Sequence, residues 1–109
     1  MIVHWRSQSL KAEFEDENFL KSTYGNNIVK KVAKRINQLE SFPTYADLPG
    51  STGKHSIGGK KSFKYFTVDL SEKGRGNLRI AFIPVGDFDP ANQRTITEIK
   101  ILKITDETH

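Results

Sequence analysis

The sequence predicts an α+β domain in which a short N-terminal strand and two helices precede an antiparallel sheet, with both helices packed on one sheet face. Three observations carry this. Apolar residues recur at helical spacing in the first part of the chain, most clearly at Ile28, Val29, Val32, Ile36 and Leu39. Pro43, Pro49, Gly50 and Gly53 then interrupt that period. Beyond them, runs rich in Val, Ile, Phe, Tyr and Thr alternate with turn-forming segments.

The elements follow in order. Met1 to Trp5 has the β-branched and aromatic content of a short opening strand. Ser7 or Ser9 is placed to cap a first helix bearing Leu10 and Phe14 on one side, with Glu13 and Glu15 to Glu17 solvated. Tyr24-Gly25-Asn26-Asn27 breaks it and supplies an asparagine N-cap for the second helix, whose Lys30, Lys31, Lys34 and Arg35 are assigned to the side away from the apolar stripe. This helix ends before Pro43. A long irregular connection leads to strands at Phe63 to Leu70, Leu78 to Pro84 and Thr95 to Ile104, a meander with two turns.

A chain of 109 residues suits one domain, residues 1–109, with one core. Its 36% hydrophobic and 28% charged content is that of a folding globular protein. The absence of cysteine excludes disulfides and thiolate metal sites. The first residues lack the apolar stretch of a signal peptide and no apolar run approaches the ~20 residues of a membrane span, so a cytoplasmic protein with no membrane association is expected.

The net charge of +4 favours an anionic partner without naming one. From Leu48 to Gly86 the acids are Asp69 and Glu72, against Lys54, Lys60, Lys61, Lys64, Lys73, Arg75 and Arg79. Such a run is either a solvated face or a grip on an anion, and here it also carries aromatics and glycines. Gly50-Ser51-Thr52-Gly53-Lys54-His55 resembles a phosphate-binding loop but has two residues between its glycines and His55 after the lysine, and it precedes a meander instead of a helix. Nucleotide binding is therefore rejected. His4, His55 and His109 form no ligand-spaced pair, so neither a metal nor another cofactor is expected.

Arg79 lies on the face opposite Leu78, Ile80 and Phe82, so if those enter the core its guanidinium projects from the open sheet face. There it can hold a phosphate through two parallel N–H bonds and stabilise charge in a transition state, or it can be an arginine in a cross-strand pair. His55, beside Lys54, has the side chain suited to general acid or base work, or it is an uninvolved loop residue. Tyr65 offers a base-stacking ring if Phe66, Val68 and Leu70 face the core. The tail Asp106-Glu107-Thr108-His109 is either a neutral terminus or a contributor to the site.

An ordered set of short motifs joins these residues. His55-Ser56-Ile57-Gly58-Gly59-Lys60-Lys61, then Phe66-Thr67-Val68-Asp69-Leu70, resembles H-x-L-x-G-D-R-K-G followed by F-S-V-D-L in HigB-like toxins of the RelE/ParE superfamily. Leu78-Arg79-Ile80-Ala81-Phe82-Ile83-Pro84 resembles their Y-R-L-I-F-E-P strand, and Ile101 to Asp106 resembles their closing I-I-E-V-E-D-Y-H. Val32 to Leu39 and Asp47-Leu48-Pro49 match their basic helix and D-L-P turn. The likeness runs from the second helix to the C-terminus.

The resemblance implies a RelE-like fold and the toxin of a type II toxin–antitoxin pair, bound by a cognate antitoxin protein and cleaving mRNA on the ribosome without metal or cofactor. It makes Arg79 the phosphate-stabilising arginine and His55 a general acid or base. Lys54, Lys60, Lys61 and Lys64, with Tyr65, would grip the RNA, and Asp106 and His109 would stand for the closing motif. Two departures fall at the site: Asp106-Glu107-Thr108-His109 replaces Asp-Tyr-His, and Gly59-Lys60-Lys61-Ser62 alters the D-R-K-G turn with two extra residues before Phe66. A ParE-like gyrase inhibitor and a non-enzymatic RNA- or protein-binding module are the alternatives.

Overall fold

The computed structural model describes residues 1–57, 64–70, 78–89 and 91–106. In chain order these form β1 (Ile2–Trp5), α1 (Gln8–Glu15), α2 (Glu17–Tyr24), α3 (Ile28–Ser41), 3₁₀ turns at Tyr45–Asp47 and Gly50–Thr52, β2 (His55–Ile57), β3 (Tyr65–Asp69), β4 (Arg79–Pro84), a 3₁₀ turn at Gln93–Thr95 and β5 (Glu98–Thr105). The protein is α+β, with three helices against the two expected.

The extra helix arises at Asp16. Ser7 caps α1 by accepting from the Leu10 amide at 3.1 Å, and Asp16 caps α2 by accepting from the Phe19 amide at 3.0 Å. Leu20 lies six residues after Phe14 and ten after Leu10, which in one unbroken helix would set it about 100° off the middle of the Leu10–Phe14 stripe. The break at Asp16 brings all three into the core. Asn27 precedes α3 without a side-chain cap bond.

The sheet is five-stranded in the order β1-β5-β4-β3-β2. It is mixed, not antiparallel throughout: β3 to β5 form the expected meander, β2 extends it by an unexpected edge strand, and β1 pairs parallel with β5, Val3 opposite Ile99 and Trp5 opposite Ile101. Between β1 and β5 the chain passes through the three helices to β2 at the far edge and returns through β3 and β4, a long connection of the kind a parallel pair needs. That face is the core: Leu10, Phe14, Leu20, Ile28, Val32 and Leu39 meet Phe66, Val68, Leu70, Ile80, Phe82, Ile99 and Ile101. Among the described residues no helix is long and apolar enough to cross a membrane.

One irregularity decides which side chains reach the other face. Ala81 pairs with Lys103 but Phe82 pairs with Ile101, so Leu102 is an extra residue in β5. The bulge turns the strand so that Ile99, Ile101 and then Ile104 pack toward the core, while Lys103 and Thr105 stand opposite Ala81 and Arg79.

Candidate functional site

The face away from the helices gathers several of the candidate residues. Strand register aligns His55, Thr67, Ala81 and Lys103 in one row across β2, β3, β4 and β5, and Asp69, Arg79 and Thr105 in the next. Alternation along β3 adds Tyr65. This face is not the open, solvated surface expected from the sequence. Thr67 is 1% and Ala81 0% exposed, and Tyr65 and Thr105 are also buried. Two short side chains lie at the centre, ringed by longer ones from the neighbouring positions of the ladder. The Thr67 hydroxyl is buried there with no hydrogen-bond partner among the described residues.

Arg79 occupies this face as its parity predicts, and it does so in a cross-strand pair. Its Nε donates to Asp69 Oδ1 at 2.9 Å, and its side chain is 12% exposed. Asp69 is held from two further directions. Its backbone carbonyl accepts from Arg35 Nε at 2.6 Å. Its carboxylate lies against Gly53, where an added Cβ would stand 2.0 Å from Oδ2. Gly53 closes the 3₁₀ turn Gly50–Thr52 with φ +65°, a left-handed conformation that favours glycine.

Arg35 corrects the sequence assignment. Its expected place is with the lysines on the outer side of its helix, but it is buried, in phase with Ile28, Val32 and Leu39. Its Nη1 donates to Gln38 Oε1 at 2.8 Å and its Nη2 to the Ser51 carbonyl at 3.4 Å. Loss of water around the buried guanidinium lowers its pKa, and the charge of Asp69 opposes that shift.

The other predicted residues are dispersed. His55 is exposed at the start of β2. Lys54 donates to the Tyr45 carbonyl at 3.2 Å and sits 4.9 Å over the Tyr45 ring, which ties it to the fold. Tyr65 carries the Lys103 ammonium 5.7 Å from its ring centre. Lys64 is exposed just before β3. Asp106 follows β5 and lines a shallow depression of about 530 Å³ with Thr23, Tyr24, Leu78 and Lys103. β5 lies three strands from β2, so Asp106 is not brought to His55. Lys60, Lys61 and His109 lie outside the described residues. Among the described residues no group of three or more His, Cys, Asp or Glu side chains could hold a metal ion.

Asp69, Arg35, Thr67, Lys103 and Gly53 are the site residues that sequence reasoning missed. Asp69 shares the parity of Tyr65 and could have been found as a carboxylate on the arginine's own face. Arg35 is signalled by spacing, since 28, 32, 35 and 39 form one stripe in which it replaces an apolar residue. Lys103 depends on a bulge that no local pattern marks.

These features define an α+β domain with a mixed five-stranded sheet, helices on one face, and on the other an Asp–Arg pair, an exposed histidine at the edge strand and a lysine over an aromatic ring. No protein-family model matches the chain, and no curated protein does.

Proposed function

We propose that this protein has a RelE-like fold and is the toxin of a type II toxin–antitoxin pair, a metal-independent endoribonuclease acting on mRNA on the ribosome. The observation that carries this is the placing of His55 and Arg79 on one sheet face, two strands and two residues apart. That offset corresponds to about 12 Å between Cα atoms, which a histidine and an arginine can span with a phosphate between them. The ordered motif resemblance supports the same assignment.

The chemistry needs few parts. The ribose 2′-oxygen attacks the adjacent phosphorus as its proton passes to a base, and the bond to the 5′-oxygen breaks as that oxygen gains a proton. The arginine stabilises charge on the non-bridging oxygens. Arg79, with its Nε on Asp69, would hold the phosphate from this face. His55 acts as base or acid, and Lys103 draws the RNA backbone to this face.

The Asp69–Arg79 pair also favours a second reading, a non-enzymatic RNA- or protein-binding module, because the carboxylate offsets the arginine's charge. Purified ribosomes programmed with mRNA separate the two. Cleavage within codons should proceed in metal chelator and be lost in Arg79→Ala and in His55→Ala. Intact mRNA with the wild-type protein would discard the nuclease assignment, and inhibited gyrase supercoiling in its place would point to the ParE-like alternative.

A further inference from the structure

We infer that Arg35 is a positioning residue that sets the spacing of His55 and Arg79, an inference that rests on the nuclease reading above. The two proposed catalytic side chains come from different parts of the chain. His55 enters its strand from the turn Gly50–Thr52 through Gly53 and Lys54, and Arg79 is held by the carboxylate at the end of β3. One guanidinium touches both supports: Arg35 Nε holds the Asp69 carbonyl at 2.6 Å and Nη2 reaches the Ser51 carbonyl at 3.4 Å. Gln38, one helical turn along, accepts from Nη1 and orients the planar group.

Gly53 makes the junction exacting. Its backbone lies so close to the Asp69 carboxylate that a Cβ would overlap Oδ2, so the turn and the strand end meet in direct contact. Any shift of the turn against β3 therefore moves the carboxylate that holds Arg79, and moves His55 with the turn. A buried arginine is a costly way to stabilise a core, since apolar residues of similar volume commonly do as well or better. Its planar fork, however, reaches two carbonyls in different directions, which an apolar side chain cannot do and a lysine, as a point charge, does poorly.

Arg35→Lys tests this. The variant, verified as folded by circular dichroism, should lose roughly tenfold or more in kcat for mRNA cleavage on ribosomes, because small misplacements of reacting groups are expensive. Its KM should stay within about twofold, since Arg35 itself meets no RNA. In the free protein, the NMR signals of the His55 ring and of the Arg79 Nε–H should both move. A folded Arg35→Lys protein in which either signal stays in place overturns the inference, whatever the kinetics. If wild-type protein leaves mRNA intact, the nuclease reading fails while the paired NMR signals still decide whether Arg35 couples the two residues. Should Arg35→Lys not fold, hydrogen exchange on the wild-type chain substitutes. The Arg35 Nε–H and the amides of Gly53 and Leu70 should then open as one unit, and clearly different opening free energies would sink the idea.

Discussion

Asp69 and Thr67 sit two positions apart on the same face of β3, and their energetics are opposite. Asp69 is a counter-charge of an arginine whose side chain is almost buried, so Asp69→Asn removes a charge that offsets the guanidinium. The carboxylate is itself about one-third exposed, which lets water compensate in part. A loss of about 1–2 kcal/mol in urea-denaturation stability is expected. An unchanged midpoint would mean that the pair contributes orientation alone. Thr67 carries the reverse situation, a buried hydroxyl already without a partner among the described residues. Thr67→Val keeps the shape and removes the unsatisfied group, so it should be neutral or stabilising by up to about 1 kcal/mol. A clear destabilisation would show that the hydroxyl is bonded in solution. Neither role was visible in the sequence. Parity alone assigns both residues to the face of Tyr65, but pairing across strands depends on register, and register is set by the turns and the core as a whole.

At the scale of elements, the parts that obey a local period were legible and the parts that obey a neighbour were not. Helix α3 stood out because Ile28, Val32 and Leu39 repeat over a helix long enough to average out noise. The strands β3, β4 and β5 stood out through their β-branched and aromatic content, although β5 begins at Glu98, after the 3₁₀ turn Gln93–Thr95 that the sequence assigned to it. The break at Asp16 was missed because an acidic stretch reads equally well as the solvated side of one helix or as the cap of a second. The strand His55–Ile57 was missed because three residues carry no period; it exists as an edge paired to β3. Gly53 is where element geometry can be tested. Its left-handed conformation and its contact with Asp69 both exclude a side chain. Gly53→Ala is expected to cost about 1–3 kcal/mol, the usual range for backbone strain at such positions, and to displace the Asp69 carboxylate. Thermal denaturation reads the first effect, and a shift of the Arg79 Nε–H signal reads the second. A stable variant with that signal unmoved would show that turn and strand are not in contact.

For the whole molecule, Tyr45 joins the irregular connection to the sheet, and it makes the assembly sensitive to alkaline pH. The connection between Pro43 and Gly53 has an irregular, loop-like sequence, yet it supplies core: Tyr45 stacks on Phe66 at 4.2 Å, its ring centre lies 6.1 Å from that of Phe82, and its amide donates to the Ile96 carbonyl at 3.0 Å. Aromatic character could have signalled this, but a single tyrosine among Pro, Thr, Asp and Gly has no period to place it. Burial pushes its phenol from 10.0 up to about 12. Between those values the unfolded chain releases this proton while the folded chain retains it. The native state then binds more protons than the unfolded state, so stability falls as pH rises. Below pH 10 the phenol is neutral in both states and contributes no slope. Lysines titrate in the same range, so the comparison must be by difference, with Tyr45→Phe as the reference chain. The variant keeps the ring contacts and lacks the ionising group. Denaturation midpoints of the two proteins should therefore run parallel up to about pH 10 and diverge above it, with wild type losing stability faster. A constant offset across the whole range would mean that Tyr45 titrates as it does in the unfolded chain, and that the connection is not closed over it in solution.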